Sequence, residues 1–207
     1  MPHVLEKDTK NKILEGAESI FMKLGVKSTT MDDVSRELGI SKKTLYQYFS
    51  DKSDLVKQTV DRTFNCEEAY FSNLHSEKKN PIDEVLCIVK RVNQTMRNVN
   101  PMTINDLKKY YHESWKRFDE HKRNFIAKMV KANLDNGVQE GYYRNDINTE
   151  IICRLYVEMI GLMVNNELFP DHEYSFHDLY HEFITYHLRG VCTPKGIKYL
   201  ENKITSL

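Results

Sequence analysis

From Gly39 to Phe49 the sequence reads Gly-Ile-Ser-Lys-Lys-Thr-Leu-Tyr-Gln-Tyr-Phe, a stretch with two cations and no acid. If Leu45 and Phe49 turn inward on a helix, Lys42, Lys43, Thr44, Tyr46, Gln47 and Tyr48 are left outside as a face of hydrogen-bond donors. DNA, whose backbone carries one negative charge per ~1.7 Å, rewards such a face. Lysine and glutamine can reach base edges in the major groove, whereas hydroxyls mostly hold phosphates. A lysine pair alone is an ordinary solvated helix face, with the tyrosines packed partly against the first helix. The interleaved Thr, Tyr and Gln and the missing acid favour nucleic acid.

Two other spacings suggest different chemistry. Tyr48-x-x-x-Lys52 has the spacing of a dehydrogenase Tyr/Lys pair, but no glycine-rich strand-to-helix turn accompanies it to bind a dinucleotide. His177-x-x-x-His181, with His172 and His187 nearby, has the i, i+4 geometry that can ligate zinc. Eight histidines in a helical chain produce such a pair by chance. No catalytic set, cofactor or metal site is therefore expected, and the chain is not read as an enzyme.

The elements that must position the donor face follow from periodicity and caps. Ile13, Leu14, Ala17, Ile20, Phe21 and Leu24 repeat at three and four, one face of a first helix that Gly25 stops. Thr29-Thr30 caps a second short helix with Asp32 and Asp33 in its first turn. Gly39 breaks it, Ser41 caps a third helix through Phe49, and Lys52 opens a fourth through Leu55, Val56, Val60 and Phe64 towards Leu74. Residues 30–49 thus have the layout of a helix-turn-helix, with Val34, Leu38, Ile40, Leu45 and Phe49 able to share a small core.

Beyond Lys78-Lys79-Asn80, Pro81 starts a fifth helix with Ile82, Val85, Leu86, Val89, Val92 and Met96 as its stripe. A sixth (about Thr103 to Arg117) and a seventh (Phe125 to Gly137) precede a turn region, Gly137 to Asp146. An eighth helix, Thr149 to Phe169, carries more apolar surface than one intramolecular face needs. A ninth runs from Ser175 to Arg189. The expected fold is all-α with about nine helices, divided into a helix-turn-helix domain at residues 1–51 and a larger helical domain at 52–207.

Composition agrees. Glycine (8) and proline (5), the punctuation of turn-rich β folds, are scarce in 207 residues, and 40 % apolar with 29 % charged residues is too hydrophobic for a disordered chain. The N-terminus goes straight into charged residues, the longest apolar stretch (Ile151 to Val164) is too short to span a bilayer, and Cys66, Cys87, Cys153 and Cys192 contain no C-x-x-C pair. A cytoplasmic protein with reduced, mostly buried thiols is expected. Overall charge is silent, at 30 basic and 30 acidic side chains. Residues 1–62 hold 11 and 10 of these, a net of +1, so the signal for DNA lies in arrangement.

At residue level, Thr29-Thr30-Met31-Asp32-Asp33-Val34, Leu38 to Phe49 and Lys52-Ser53-Asp54-Leu55 resemble the DNA-binding signature of the TetR family of bacterial transcriptional regulators. The likeness is close from Ile13 to Leu55, and Gly137 to Asp146 is similar to the family's turn after its seventh helix. The resemblance implies that Thr30 bonds a phosphate, that Lys42, Lys43 and Gln47 face bases, that Thr44, Tyr46 and Tyr48 contact the backbone, and that Lys52 clamps a phosphate. Lys43 stands where many relatives have glycine, so the base contacts need not follow the common pattern.

The resemblance also implies a homodimer through the eighth and ninth helices, with Ile152, Tyr156, Phe176, Leu179, Tyr180, Phe183 and His187 at the interface. Two recognition helices ~34 Å apart would then read a near-palindromic operator. A small-molecule effector would enter among the fourth to eighth helices and release the DNA. Candidate ligand residues are Phe71, Arg91, Gln94, Tyr110, Tyr111, Trp115, Phe118, Tyr156, Met159 and Met163. Arg91 and Arg154 in apolar helices would suit an acidic ligand. An effector-independent DNA-binding protein with an architectural role is the alternative.

Overall fold

The computed structural model describes residues 2–76, 79–97 and 99–204, and every described element is helical apart from one isolated bridge, Tyr143 with Cys192. The helices are α1 (Pro2–Leu24), α2 (Met31–Glu37), α3 (Lys42–Tyr48), α4 (Lys52–Ser76), α5 (Pro81–Met96), α6 (Pro101–Tyr110), α7 (His112–Glu120), α8 (Ala127–Gln139), α9 (Thr149–Met163), α10 (Phe176–Val191) and α11 (Pro194–Ile204). A π-helical turn, His121–Ile126, joins α7 to α8. The chain is all-α, as expected.

The helices depart from the expected pattern at three places. The anticipated sixth helix is broken at Tyr111, whose backbone (φ −127°, ψ 65°) leaves the helical region. The anticipated eighth helix ends at Met163 instead of Phe169, because Val164 departs from helical geometry and turns built on Asn165 and Pro170 follow. α11 was not anticipated; Pro194 at its first position and the Thr193 hydroxyl, which accepts from the Gly196 amide at 3.1 Å, start it.

Two compact units make up the chain, the first from Met1–Glu68 with Asn98–Asp119 and the second from Ala69–Arg97 with Glu120–Leu207. The sequence reading ended the DNA-binding domain at residue 51, whereas the first compact unit runs on through most of α4 and takes in α6. Leu55 and Val56 of α4 are completely buried in the same core as Ile13, Ala17, Phe21, Val34, Leu45 and Phe49, and Leu107 and Tyr111 pack against it.

The second unit has its own core, built on Ile82, Leu134, Tyr143, Tyr156, Val157, Ile184 and Leu188. Gly137 lets the Tyr143 ring lie against α8, since a Cβ there would come within 2.0 Å of it. That ring's hydroxyl donates to Asn133 Oδ1 (3.1 Å), and the Asn133 amide donates to the buried Glu84 carboxylate (2.8 Å) and to the Pro81 carbonyl (2.9 Å). Glu84 also meets His75 Nδ1 at 2.7 Å, so Tyr143, Asn133, Glu84 and His75 form one linked polar network. All four cysteines are free: Cys153 and Cys192 are buried, Cys87 is half-buried and Cys66 is exposed.

Candidate DNA-binding interface

The helix-turn-helix is fixed by local chemistry at each joint. Thr30 caps α2: its hydroxyl oxygen accepts from the Asp33 amide (3.1 Å), while the Asp33 carboxylate accepts from the Thr30 amide (2.9 Å) and hydroxyl (2.6 Å). This reciprocal box satisfies amides the helix leaves unpaired and is worth about 1 kcal/mol. The Thr30 hydroxyl holds the Asp33 carboxyl below its ordinary range, with Arg36 adding to the effect. Gly39 takes φ +64°, which L side chains rarely adopt, and lets the Ile40 amide reach the Ser35 carbonyl at 3.0 Å. Ser41 then caps α3 by accepting from the Thr44 amide at 3.0 Å.

These joints aim α3. Leu45 and Phe49 are buried, and Lys42, Lys43, Tyr46 and Gln47 are exposed. Thr44 and Tyr48 are half-buried; the Thr44 hydroxyl meets the Ser41 hydroxyl at 2.8 Å, and Tyr48 packs on the core beside Phe49. Four of the six outward residues read from sequence therefore form one exposed donor face. Lys42 Nζ lies 2.5 Å from Asp32 Oδ2, and Arg36, which sequence reasoning did not single out, lies 2.5 Å from Asp33 Oδ1.

Lys52 is held at a different place. Its ammonium donates to the Lys27 carbonyl (3.1 Å) and lies 5.8 Å from the centre of the Tyr111 ring. Burial draws it below the ordinary lysine value, against the opposing pull of Asp106 and Asp33.

Three residues that sequence reasoning missed surround this junction. At the start of α6, the Asn100 amide donates to the Met22 carbonyl (2.6 Å), and the Thr103 hydroxyl donates to the Phe21 carbonyl (2.9 Å). The buried Asp106 carboxylate accepts from the Lys27 amide at 2.7 Å. Together they satisfy the carbonyl end of α1 and hold the connection leading to Thr30. Lys27 also donates to the Tyr110 hydroxyl at 2.9 Å, which raises the lysine and lowers the tyrosine from their usual values. These partners lie some 80 positions apart in sequence, beyond any local spacing; the only hint was polar Thr103 and Asp106 at i, i+3 on an otherwise amphipathic helix.

The candidate ligand residues fall in both compact units. In the first, Tyr110 is exposed, and the Trp115 ring lies 4.9 Å from the Phe118 ring at a tilt of 31°, with Phe118 itself 6.2 Å from Phe64. In the second, Arg91 and Gln94 are exposed, Arg91 lies 5.0 Å over the Tyr70 ring, Phe71 and Met159 are half-buried, and Met163 is buried. Arg154 faces solvent and pairs with Glu150 at 2.8 Å along its own helix. Tyr156 is buried against Phe183 (4.8 Å) and His187 (4.9 Å); burial raises its hydroxyl to about 12 and lowers His187 to about 4.

Of the residues assigned to a dimer interface, Tyr156, Tyr180 and Phe183 are buried in the subunit's own core, and Ile152, Phe176, Leu179 and His187 are partly buried. The exposed apolar side chains on the same two helices are Ile151, Leu155 and Leu162 on α9 and Tyr186 on α10. His177 and His181 are exposed with nearly parallel rings 6.5 Å apart, each beside its own acidic neighbour. Among the described residues, no three potential metal ligands come together, and no helix is long and apolar enough to cross a membrane.

A capped helix-turn-helix with an exposed donor face, set in an all-helical chain, defines a helix-turn-helix transcriptional regulator. Residues 13–59 match the family model for bacterial regulatory proteins of the tetR family. Over 168 residues the chain is 27 % identical to the HTH-type transcriptional regulator YvaF of Bacillus subtilis, covering 79 % of this chain and 86 % of that protein. It is 20 % identical over 148 residues to the HTH-type transcriptional repressor KstR2 of Mycobacterium tuberculosis, covering 70 % and 74 %. The fold matches that of the transcriptional regulator FadR from Bacillus subtilis, solved in complex with stearoyl-CoA, with a TM-score of 0.65 and 15 % identity over 86 % of this chain and 97 % of that one. Residues 13–59 are thus similar to the DNA-binding part of the tetR family, and the whole chain shares its fold with solved regulators of that kind.

Proposed function

We propose that the protein is a repressor that binds a near-palindromic operator as a homodimer and is released by a small-molecule effector. The observation that carries this reading is α3, capped at Ser41, anchored by Leu45 and Phe49, and exposing Lys42, Lys43, Tyr46 and Gln47. Lys42, Lys43 and Gln47 are the proposed base-facing residues, and Thr30, Thr44, Tyr46 and Tyr48 the proposed phosphate contacts. Lys52 joins them once it leaves the Lys27 carbonyl, so its contact with DNA is tied to the α1–α6 junction. The repressor KstR2 and the stearoyl-CoA complex of FadR support repression and effector binding as the mode of action. Its place of action is the cytoplasm, where the DNA is.

The dimer reading is supported by the exposed stripe on α9. Ile151, Leu155 and Leu162 recur at four and seven residues, opposite the buried Cys153, Tyr156 and Val157, so the helix has two apolar faces and one subunit covers only one of them. Tyr186 on α10 is exposed as well, and Ile152, Phe176 and Leu179 are partly buried.

Selection of random-sequence duplexes with the purified protein tests the reading. A two-fold symmetric site with half-sites about one helical turn apart, recovered also upstream of genes in a genome-wide binding map, is the expected outcome. Loss of that binding on adding a fractionated extract of the native cytoplasm would then identify the effector. If selection enriches no sequence, the regulator reading is wrong at its base.

A further inference from the structure

We infer that Asp32 is a specificity-determining residue, which holds Lys42 so that the pair accepts a base-pair edge and rejects a bare phosphate backbone. The inference rests on the DNA-binding reading above.

Asp32 lies in the first turn of α2, and Lys42 is the first residue of α3. The turn around Gly39 brings them together, with Lys42 Nζ 2.5 Å from Asp32 Oδ2. Their side chains are 61 % and 56 % exposed, so the pair stands on the outer surface. The α2 box at Thr30, the Ile40–Ser35 backbone bond and the Ser41 cap hold both helices, which fixes the two Cα positions before DNA arrives.

Sequence arithmetic alone gives this region +2 with no acid between Gly39 and Phe49. In three dimensions an acid is present, and it sits on one of the two lysines. Lys43 is exposed, and no ion pair involving it is seen among the described residues.

The chemistry of the two targets differs. Phosphate oxygens only accept hydrogen bonds and are negatively charged. To contact one, Lys42 must either leave Asp32 or carry the carboxylate towards a like charge. A major-groove base-pair edge offers both donors and acceptors, including the guanine O6 and N7 acceptors and the cytosine N4 donor. The lysine ammonium has three N–H donors, of which Asp32 occupies one. The remaining donors and the free carboxylate oxygen form a mixed pattern that fits a base edge. Asp32 therefore costs little on the correct sequence and costs a phosphate contact on a random one. Discrimination of this kind comes from penalising the wrong partner.

The test compares wild type, Asp32→Asn, Lys42→Ala and the double variant on the duplex selected by wild type and on a random duplex, over a series of salt concentrations. Both positions are exposed, and circular dichroism checks that each variant folds. The expected result is that Asp32→Asn tightens random-DNA binding about three- to tenfold, steepens its salt slope by about 0.9, and leaves selected-site binding within about twofold. In the Lys42→Ala background the same change leaves the ratio of the two affinities where it was. Equal tightening on both duplexes, or a ratio that shifts as much without Lys42 as with it, overturns the inference while the regulator reading stands. A wild type that selects no sequence overturns both.

Discussion

Asp106→Ala tests whether α6 holds the head through a few hydrogen bonds. The Asp106 carboxylate is 4 % exposed and accepts from the Lys27 amide at 2.7 Å. Hydrogen bonds to charged groups contribute about 1.5–3 kcal/mol, and losing the acceptor also strands the Lys27 amide at the α1–α2 connection. A loss of about 2 kcal/mol is therefore expected, roughly a thirtyfold change in the folding equilibrium at 1.4 kcal/mol per decade. For a urea m-value of about 2 kcal/mol/M, that lowers the midpoint by roughly 1 M. Trp115, the chain's single tryptophan, lies on α7 in the same compact unit and reports the transition by fluorescence. Asp106→Asn keeps an acceptor and is expected to recover about half the loss. Thr103→Val, which removes the donor to the Phe21 carbonyl, is expected to cost about 1 kcal/mol. A midpoint for Asp106→Ala within about 0.2 M of wild type would refute the reasoning, because a buried charge-assisted bond would then contribute nothing.

Other consequences can be measured separately. His187 has its folded-state value lowered by burial to about 4, against 6.5 when unfolded, so the unfolded chain binds more protons between these values. Its contribution is complete above pH 6.5 and is lost as pH falls towards 4; between pH 7 and 5 about 2 kcal/mol of stability should disappear, and His187→Gln should flatten that segment of the unfolding profile. Leu155→Arg places a charge in the centre of the exposed α9 stripe and should yield a monomer by light scattering at micromolar concentration, with far-ultraviolet circular dichroism unchanged. Leu45→Ala empties a completely buried position between α3 and the head core and should cost about 2–5 kcal/mol, read by the same urea titration. Lys43→Ala should weaken binding to the selected duplex by about 1–3 kcal/mol and to a random duplex by less, as loss of a base contact does, read by fluorescence anisotropy on the two duplexes.

What was legible in the sequence was what local chemistry determines. Thr30 with Asp33, Gly39, and Ser41 with Thr44 act over three or four residues, and the apolar repeat from Ile13 to Phe21 needs only a helical period; the structure realises each of them. The direction of α3's donor face follows, because Leu45 and Phe49 can turn only one way. What depended on packing between distant segments was not legible. The Asn100, Thr103 and Asp106 bonds to the end of α1 bridge some 80 positions, and only their appearance together in space shows that a helix beyond α5 belongs to the head's compact unit.

The α9 surface shows the same limit from the other side. Periodicity shows that Thr149 to Met163 has more apolar surface than one face requires, but not which half turns inward. Tyr156, Cys153 and Val157 are buried by neighbours from α8 and α10, so the half carrying Ile151, Leu155 and Leu162 is the one left exposed. The charge count over one helix is incomplete for a related reason. A window from Gly39 to Phe49 cannot register Asp32, ten residues from Lys42 and on another helix, although that carboxylate is the nearest charge to the recognition helix's first lysine. The interface's electrostatics are thus set by the turn that folds α2 against α3. If Asp32 acts as inferred, selectivity for sequence over bare charge belongs to the pair, and neither residue has it alone.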